Sequence, residues 1–358
     1  MIPISVGIFF AFGGNMNKLR VCVIFGGQSG EHEVSLSSAT AILNAMNYDK
    51  YIVYKIGITR TGEWYLFEGE NGLVLEDKWL ENGKNTPICV DFARKCLISD
   101  GKELQIDVAF PALHGDFGED GRVQALFELL GIPMVGPSTA SAATCMDKHL
   151  CKSIAMRELV PVAPYVAFSR RDFINGDTEC ELDGVVFVKP STAGSSLGIT
   201  RASGKSEIAC AIAEALKYSN EALVEREIRG RECEVAVTEI DGQIVVSEVG
   251  EISYKGEFYD YATKYKSSKV KYKIPARIGE ECRNLCKKYA KTLFKALGCH
   301  GHARFDFFVT KEKEIYFNEV NALPGFTEGS MYPMLMNKLG YDMPRLIDLL
   351  IGESVRNF

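Results

Sequence analysis

The chain has 358 residues, of which 46% are apolar and 25% charged, and a formal net charge of −6. That length exceeds one typical core and predicts two or three domains of an ordinary soluble globular protein. A mild negative charge without any long basic run argues against nucleic acid or an anionic membrane as the main partner.

Eleven cysteines are scattered without a CxxC pair, which reads as small hydrophobes in a reducing compartment rather than a disulfide framework. Residues 1–15 are apolar but lack a basic start and are too short to span a bilayer. They read as a disordered leader or an upstream-start artefact, with a signal anchor as the lesser alternative. Leu19 to Phe25 is a continuous apolar run, the mark of a strand buried on both faces of a parallel sheet. Gly26-Gly27-x-x-Gly30 then turns the chain into a helical pattern from Glu31 to Met46. The glycine turn admits a dinucleotide loop, but the second strand, Tyr51 to Thr59, ends at Arg60. No carboxylate follows there for a ribose hydroxyl, so only an NADP reading through Arg60 stands. Glu31 and Glu33 at the helix entrance suit the helix dipole, and Glu31 alternatively faces a ligand ammonium.

A short excursion at residues 62–67 and a polar surface elaboration at 68–105 precede the next buried strand, Ile106 to Phe110. A helix from Gly121 to Leu130 closes a doubly wound α/β domain over 16–136. His114-Gly-Asp-Phe-Gly-Glu119 follows that strand at its carboxyl end, where open α/β sheets bind ligands. His114 is therefore a candidate site residue, against the alternative of a structural histidine.

A small α/β unit over 137–226 follows: a helix from Asp147 to Leu159, strands at 162–168, 184–188 and 222–226, and a helix at 204–218. Lys189 ends a strand and opens Pro-Ser-Thr-Ala-Gly194-Ser195-Ser196-Leu-Gly198. One cation followed by a run of hydroxyl and backbone donors suits phosphates, in an order unlike that of a P-loop. The last unit, 227–358, has strands around Val235 and Val245 and an irregular stretch rich in aromatics. That stretch, 255–273, has the look of a lid that docks side chains on a ligand. A long helix from Gly279 to Leu297 leads into a hairpin, His302 to Val309 and Glu314 to Val320, and a helix near Met343 to Ile351 ends the chain.

Residues i and i+2 of a strand share a face. Arg304 and Asp306 therefore lie together, as do Glu319 and Asn321. Paired, the strands present two carboxylates, an amide oxygen and a guanidinium, a set that suits Mg²⁺ and a charged phosphoryl group. Taken by itself the hairpin reads equally as a solvated turn of alternating charge.

In this order the motifs resemble the D-alanine–D-alanine ligase family of the ATP-grasp superfamily. The matching pieces are GGxSGEHEVSLSSA from Gly26, HGxxGEDG from His114, MDK from Met146, KPSTAGSSLG from Lys189, YDYxxKY from Tyr259 and FNEVNALPGFTEGSMYP from Phe317. The resemblance covers nearly the whole chain from Met16. It implies an α/β fold, α+β in its C-terminal part, with the doubly wound domain followed by a two-domain ATP-grasp fold. It implies ATP between the central and C-terminal units, with Lys148 and Lys189 on phosphates under the Ser195–Ser196 loop. Glu225 and Glu232 would bind the adenosine end, with Asn318 also at the nucleotide, and Asp306, Glu319 and Asn321 would hold two Mg²⁺, or Mn²⁺.

The first D-alanine would place its ammonium near Glu31 and take the γ-phosphoryl group of ATP on its carboxylate. Attack by the second would leave a tetrahedral oxyanion beside Arg304 and the Gly325 N–H. Lys264 would approach the transferred phosphate, with Tyr265, Ser195 and Glu31 as a latch that excludes water. His114, Tyr259, Ser330 and Met331 would line the substrate pocket. Met331, Tyr259 and Lys264-Tyr265 match the D-Ala–D-Ala pattern, whereas the D-Ser type tends to carry Arg and Phe at the first two positions. The lid with Ser267-Ser268-Lys269 nonetheless resembles D-Ser ligases, so D-alanine–D-serine ligation is the alternative. The family resemblance further implies a cytoplasmic homodimer serving peptidoglycan precursor synthesis, without nucleic acid or membrane partners.

Overall fold

A computed structural model describes residues 18–176, 179–194, 197–253 and 271–358. The leader, Ser195, Ser196, Tyr259, Lys264 and Tyr265 lie outside those residues. The first sheet contains β1 (Leu19–Gly26), β2 (Tyr51–Ile58), β3 (Trp64–Glu68), β4 (Lys84–Asp91), β5 (Cys96–Ser99), β6 (Lys102–Leu104) and β7 (Val108–Pro111), in the order β6-β5-β4-β3-β2-β1-β7. Only β2, β1 and β7 run parallel; β3 to β6 add on antiparallel. Much of the polar stretch read as surface elaboration is thus an extension of the sheet itself. Its strands β4 and β6 are short of apolar residues because most of their positions are half-buried or exposed.

The apolar run of β1 divides by parity. Val21, Val23 and Phe25 share a core with Leu36, Ala39 and Leu43 of the helix His32–Ala45. Cys22 and Ile24 face Phe127 and Leu130 of the helix Arg122–Leu130 on the other side. A strand covered on both faces has no solvent side, which is why its sequence shows no polar alternation.

The central sheet is antiparallel, with order β10-β9-β11-β8 from β8 (Tyr165–Ser169), β9 (Val185–Pro190), β10 (Thr200–Ser203) and β11 (Glu221–Arg226). The helix Lys205–Ala215 covers it through Ile208, Ala211 and Ile212. The third sheet is also antiparallel: β12 (Gly230–Ile240), β13 (Gln243–Ser253), β14 (Lys271–Lys273), β15 (His302–Thr310) and β16 (Ile315–Asn321), in the order β14-β13-β12-β15-β16. The last three residues of the expected irregular lid segment therefore form an edge strand. The helix Glu280–Ala296 packs on one face of this sheet through Cys282, Cys286 and Leu293. Of the eleven cysteines, Cys89 and Cys210 are exposed, so the expected burial fails for these two.

The helices Met331–Lys338 and Met343–Asn357 join the first and third sheets. Tyr332, Leu335, Ile347 and Leu350 lie in one continuous core with Phe25 of β1 and Ala236 of β12. Among the described residues no helix is long and apolar enough to cross a membrane.

Candidate active site

The site is built around the hairpin of β15 and β16. Arg304 pairs with Asn321 and Asp306 with Glu319, and the register then slips so that Phe307 pairs with Phe317. Asn318 is the extra residue of this bulge. Strict alternation would send Asn318 and Glu319 to opposite faces; a bulge re-aims one of them. Both consequently line the same cavity, and Asn318 Oδ1 lies 3.4 Å from Lys189 Nζ.

On the neighbouring strand, Glu234 pairs with Asp306 and Glu232 with Phe308. Arg304 is buried among these acids. Its Nε and Nη2 donate to the two oxygens of Asp306 at 2.8 and 2.7 Å, and Glu234 Oε2 lies 3.0 Å from Nε. Burial alone would lower the guanidinium pKa, but Asp306 and Glu234 outweigh it and hold it well above the ordinary value. Asn321 Nδ2 also donates to Asp306, at 3.1 Å. Carboxylates and an amide oxygen so placed are hard donors suited to Mg²⁺. No group of three or more His, Cys, Asp or Glu disposed to hold a metal occurs among the described residues.

The opposite wall is cationic. Asp147 caps the helix Lys148–Arg157 by accepting from the His149 and Leu150 N–H groups, and accepts from Ser191 Oγ at 2.7 Å. The cap therefore ties Lys148 to the loop that follows Lys189. Lys148 Nζ donates to the Ala193 carbonyl at 2.8 Å and stands 3.7 Å from Glu319 Oε2. Lys189 Nζ lies 2.7 Å from Glu225 Oε2, and Lys152 Nζ 3.2 Å from Oε1 of the same carboxylate. Burial would raise the Glu225 pKa; Lys152 and Lys189 outweigh it, and the pKa is lowered.

The third wall comes from the first domain. Glu31 is buried at the entrance of the helix His32–Ala45, and its side chain makes no capping bond. A Cβ on Gly115 would come within 2.9 Å of Glu31 Oε2, and one on Gly194 within 3.1 Å. The glycines of two motifs thus make room for this carboxylate, directly before Ser195. His114 Nδ1 donates to the Leu323 carbonyl at 3.1 Å and Nε2 accepts from Ser38 Oγ at 2.9 Å. With both nitrogens engaged, His114 also braces the walls of the cavity that it lines. Ser38 Oγ in turn accepts from the Phe326 N–H. Phe326 is held by Phe110, His302 and Tyr332, with ring centroids 5.4–5.7 Å away, and fixes the loop that carries Gly325.

Every predicted site residue among those described lines one cavity of about 840 Å³: Glu31, His114, Lys148, Lys189, Glu225, Glu232, Arg304, Asp306, Asn318, Glu319, Asn321, Gly325, Ser330 and Met331. That volume is within the range of small-molecule sites. Ser330 Oγ bonds Thr327 Oγ1 at 2.8 Å, and Met331 is buried against Gly250, where a Cβ would meet its sulfur at 2.5 Å. Arg60 instead pairs with Glu33 and Asp77 at 2.8 and 3.0 Å at the surface and does not line this cavity.

Sequence reasoning passed over Ser38, Lys152 and Glu234. Glu31, Ser35 and Ser38 fall at i, i+4 and i+7, a polar helix face that was legible but not read. Lys152 follows Lys148 by one turn, and Glu234 follows Glu232 by two strand positions.

Two family models match this chain: D-ala D-ala ligase N-terminus over residues 20–137 and D-ala D-ala ligase C-terminus over 155–352. It is 43% identical to a D-alanine–D-alanine ligase from Acetivibrio thermocellus, with 96% of this chain and 97% of that protein covered. It is 41% identical to one from Caldicellulosiruptor bescii, covering 95% and 96%. Among solved structures, the VanG D-Ala:D-Ser ligase from Enterococcus faecalis superposes with a TM-score of 0.87 at 40% identity, over 94% of this chain and all of that one. The D-alanine-D-alanine ligase from Coxiella burnetii gives 0.80 at 33% identity, over 95% and 96%. Matched over most of its length in sequence and in fold, the chain belongs to the D-alanine–D-alanine ligase family.

Proposed function

We propose that this protein joins two D-alanines to D-alanyl-D-alanine at the expense of ATP, through a D-alanyl phosphate, for peptidoglycan precursors. The observation that carries the reading is a single cavity in which an acidic hairpin faces two buried lysines, with Glu31 on the third wall. Lys148 and Lys189 bind the phosphates of ATP, and Glu232 the adenosine end. Glu225 keeps a place there while its carboxylate anchors Lys189. Asp306, Glu319 and Asn321 would hold two Mg²⁺, or Mn²⁺; bound metal offsets charge on the transferring phosphoryl group. Glu31 receives the ammonium of the first D-alanine. Arg304 and the Gly325 N–H stabilise the oxyanion formed when the second amine attacks. Ser195, Ser196, Tyr259, Lys264 and Tyr265 keep the roles that the family resemblance gives them. The enzyme acts in the cytoplasm as a homodimer on small molecules, without nucleic acid or membrane. The four spans 1–15, 16–136, 137–226 and 227–358 are its proposed divisions.

The test is release of phosphate from ATP on addition of D-alanine; no release would overturn the reading. Lys264→Ala is expected to lower that turnover at least ~100-fold, the scale of lost charge stabilisation in a transition state. Near-parental turnover would remove Lys264 from the catalytic set.

The likeness to a D-Ala:D-Ser ligase makes D-serine the competing second substrate. Met331 speaks against it, because a buried thioether cannot hydrogen-bond a hydroxyl as a polar selector would. With D-alanine and D-serine at equal concentration, D-alanyl-D-alanine is expected to predominate on product analysis. A predominantly D-Ala–D-Ser product would reverse the assignment.

A further inference from the structure

Lys152 lies one turn beyond Lys148 in the helix Lys148–Arg157, on the same face. It is completely buried and does not line the cavity. Its Nζ donates to the main-chain carbonyl of Asn318 at 3.1 Å and stands 3.2 Å from Glu225 Oε1. Lys189 Nζ meets the other oxygen of Glu225 at 2.7 Å and the Asn318 side chain at 3.4 Å. One carboxylate is thus shared by two ammoniums, and one asparagine receives both.

A buried lysine is costly and needs a compensating partner. Here the compensation has a direction. Glu225 with Lys189 alone would be a closed pair, whose neutralised cation has little left for a ligand. With Lys152 added, two positive charges share one negative charge, and the excess lies where Lys189 reaches the cavity. The bond to Asn318 holds the bulged residue directly before Glu319, which joins β16 to the central unit. Both effects converge on nucleotide phosphates.

We propose that Lys152 is a positioning residue for the nucleotide: it shares Glu225 so that Lys189 remains available to phosphate, and it seats the bulged strand against the central unit. The proposal rests on the ligase reading for the identity of the nucleotide.

The experiment measures binding of the non-hydrolysable ATP analogue AMP-PNP, with magnesium, by calorimetry, together with KM for ATP and for D-alanine. Lys152→Met keeps the length of the chain and removes the charge. Its dissociation constant for the analogue and its KM for ATP are expected to rise roughly tenfold, as for loss of a charged hydrogen bond. KM for D-alanine should stay within about twofold, because sites without shared partners respond independently. In a Glu225→Gln background the shared carboxylate charge is gone, so Lys152→Met should then cost less than about threefold in analogue binding. Unchanged analogue binding in Lys152→Met would overturn the proposal. So would an equal tenfold loss in both backgrounds, or parallel losses for ATP and D-alanine. Should Lys152→Met fail to fold, Lys152→Gln, which removes the charge but keeps a donor for the Asn318 carbonyl, takes its place in both backgrounds with the same expected and overturning results. The binding assay needs no turnover. A parental protein that releases no phosphate with D-alanine therefore sinks the ligase reading, whereas an active parent with an indifferent Lys152→Met sinks this inference alone.

Discussion

Replacing Glu319 by alanine is expected to lower turnover at least ~100-fold, the scale of a lost metal or charge interaction in a transition state, with little change in thermal stability. Glu319 sits opposite Asp306 on paired strands, and its side chain is 35% exposed. It therefore carries little of the core, and its truncation leaves no buried void. What it takes away is one of two carboxylates able to bind a divalent ion, and the acid nearest Lys148, at 3.7 Å. Phosphate release at saturating ATP and D-alanine, with a melting curve beside it, checks both halves. Near-normal turnover would sink the metal assignment of this hairpin.

Arg304→Met should be costly in two separable ways. Arg304 is buried, between Asp306 and Glu234. Removing the cation takes the guanidinium from buried Glu234 and half-buried Asp306, a change that destabilises by about 3–5 kcal/mol when one partner of a buried ion pair is lost. Loss of an oxyanion donor lowers turnover by a further ~10²–10³-fold. The double variant Arg304→Met/Glu234→Gln distinguishes these effects, because it lightens the stranded charge without restoring the donor. Denaturant unfolding should show stability partly recovered, while turnover stays low. Recovery of turnover together with stability would show that Arg304 serves the fold and not the reaction.

The legible part of this protein was what short-range rules control. Alternation along β15 and β16 put Arg304 with Asp306 and Glu319 with Asn321, as the pairing bears out. The apolar run of β1 announced a strand covered on both sides. The order of six motifs, each a short stretch of glycines, hydroxyls and charges, was enough to suggest the family. Other features escaped because their causes are not local. The antiparallel strands β4 to β6 have their register set by their neighbours, and β4 and β6 are mostly half-buried or exposed. His114 stood in the sequence as a site histidine; that it also ties Ser38 to Leu323 shows only in three dimensions.

The sequence by itself determined the local pieces, since strand parity, helix spacing and turn chemistry act over a few residues. The tertiary structure alone decided which pieces meet. A one-residue bulge brought Asn318 onto the face of Glu319. Pairing of β9 with β11, together with the placement of the helix Lys148–Arg157, set Lys152, Lys189 and Glu225 within ion-pair distance. Such pairings depend on distance in space, falling off with separation and deepening with burial, and no spacing along the chain encodes either.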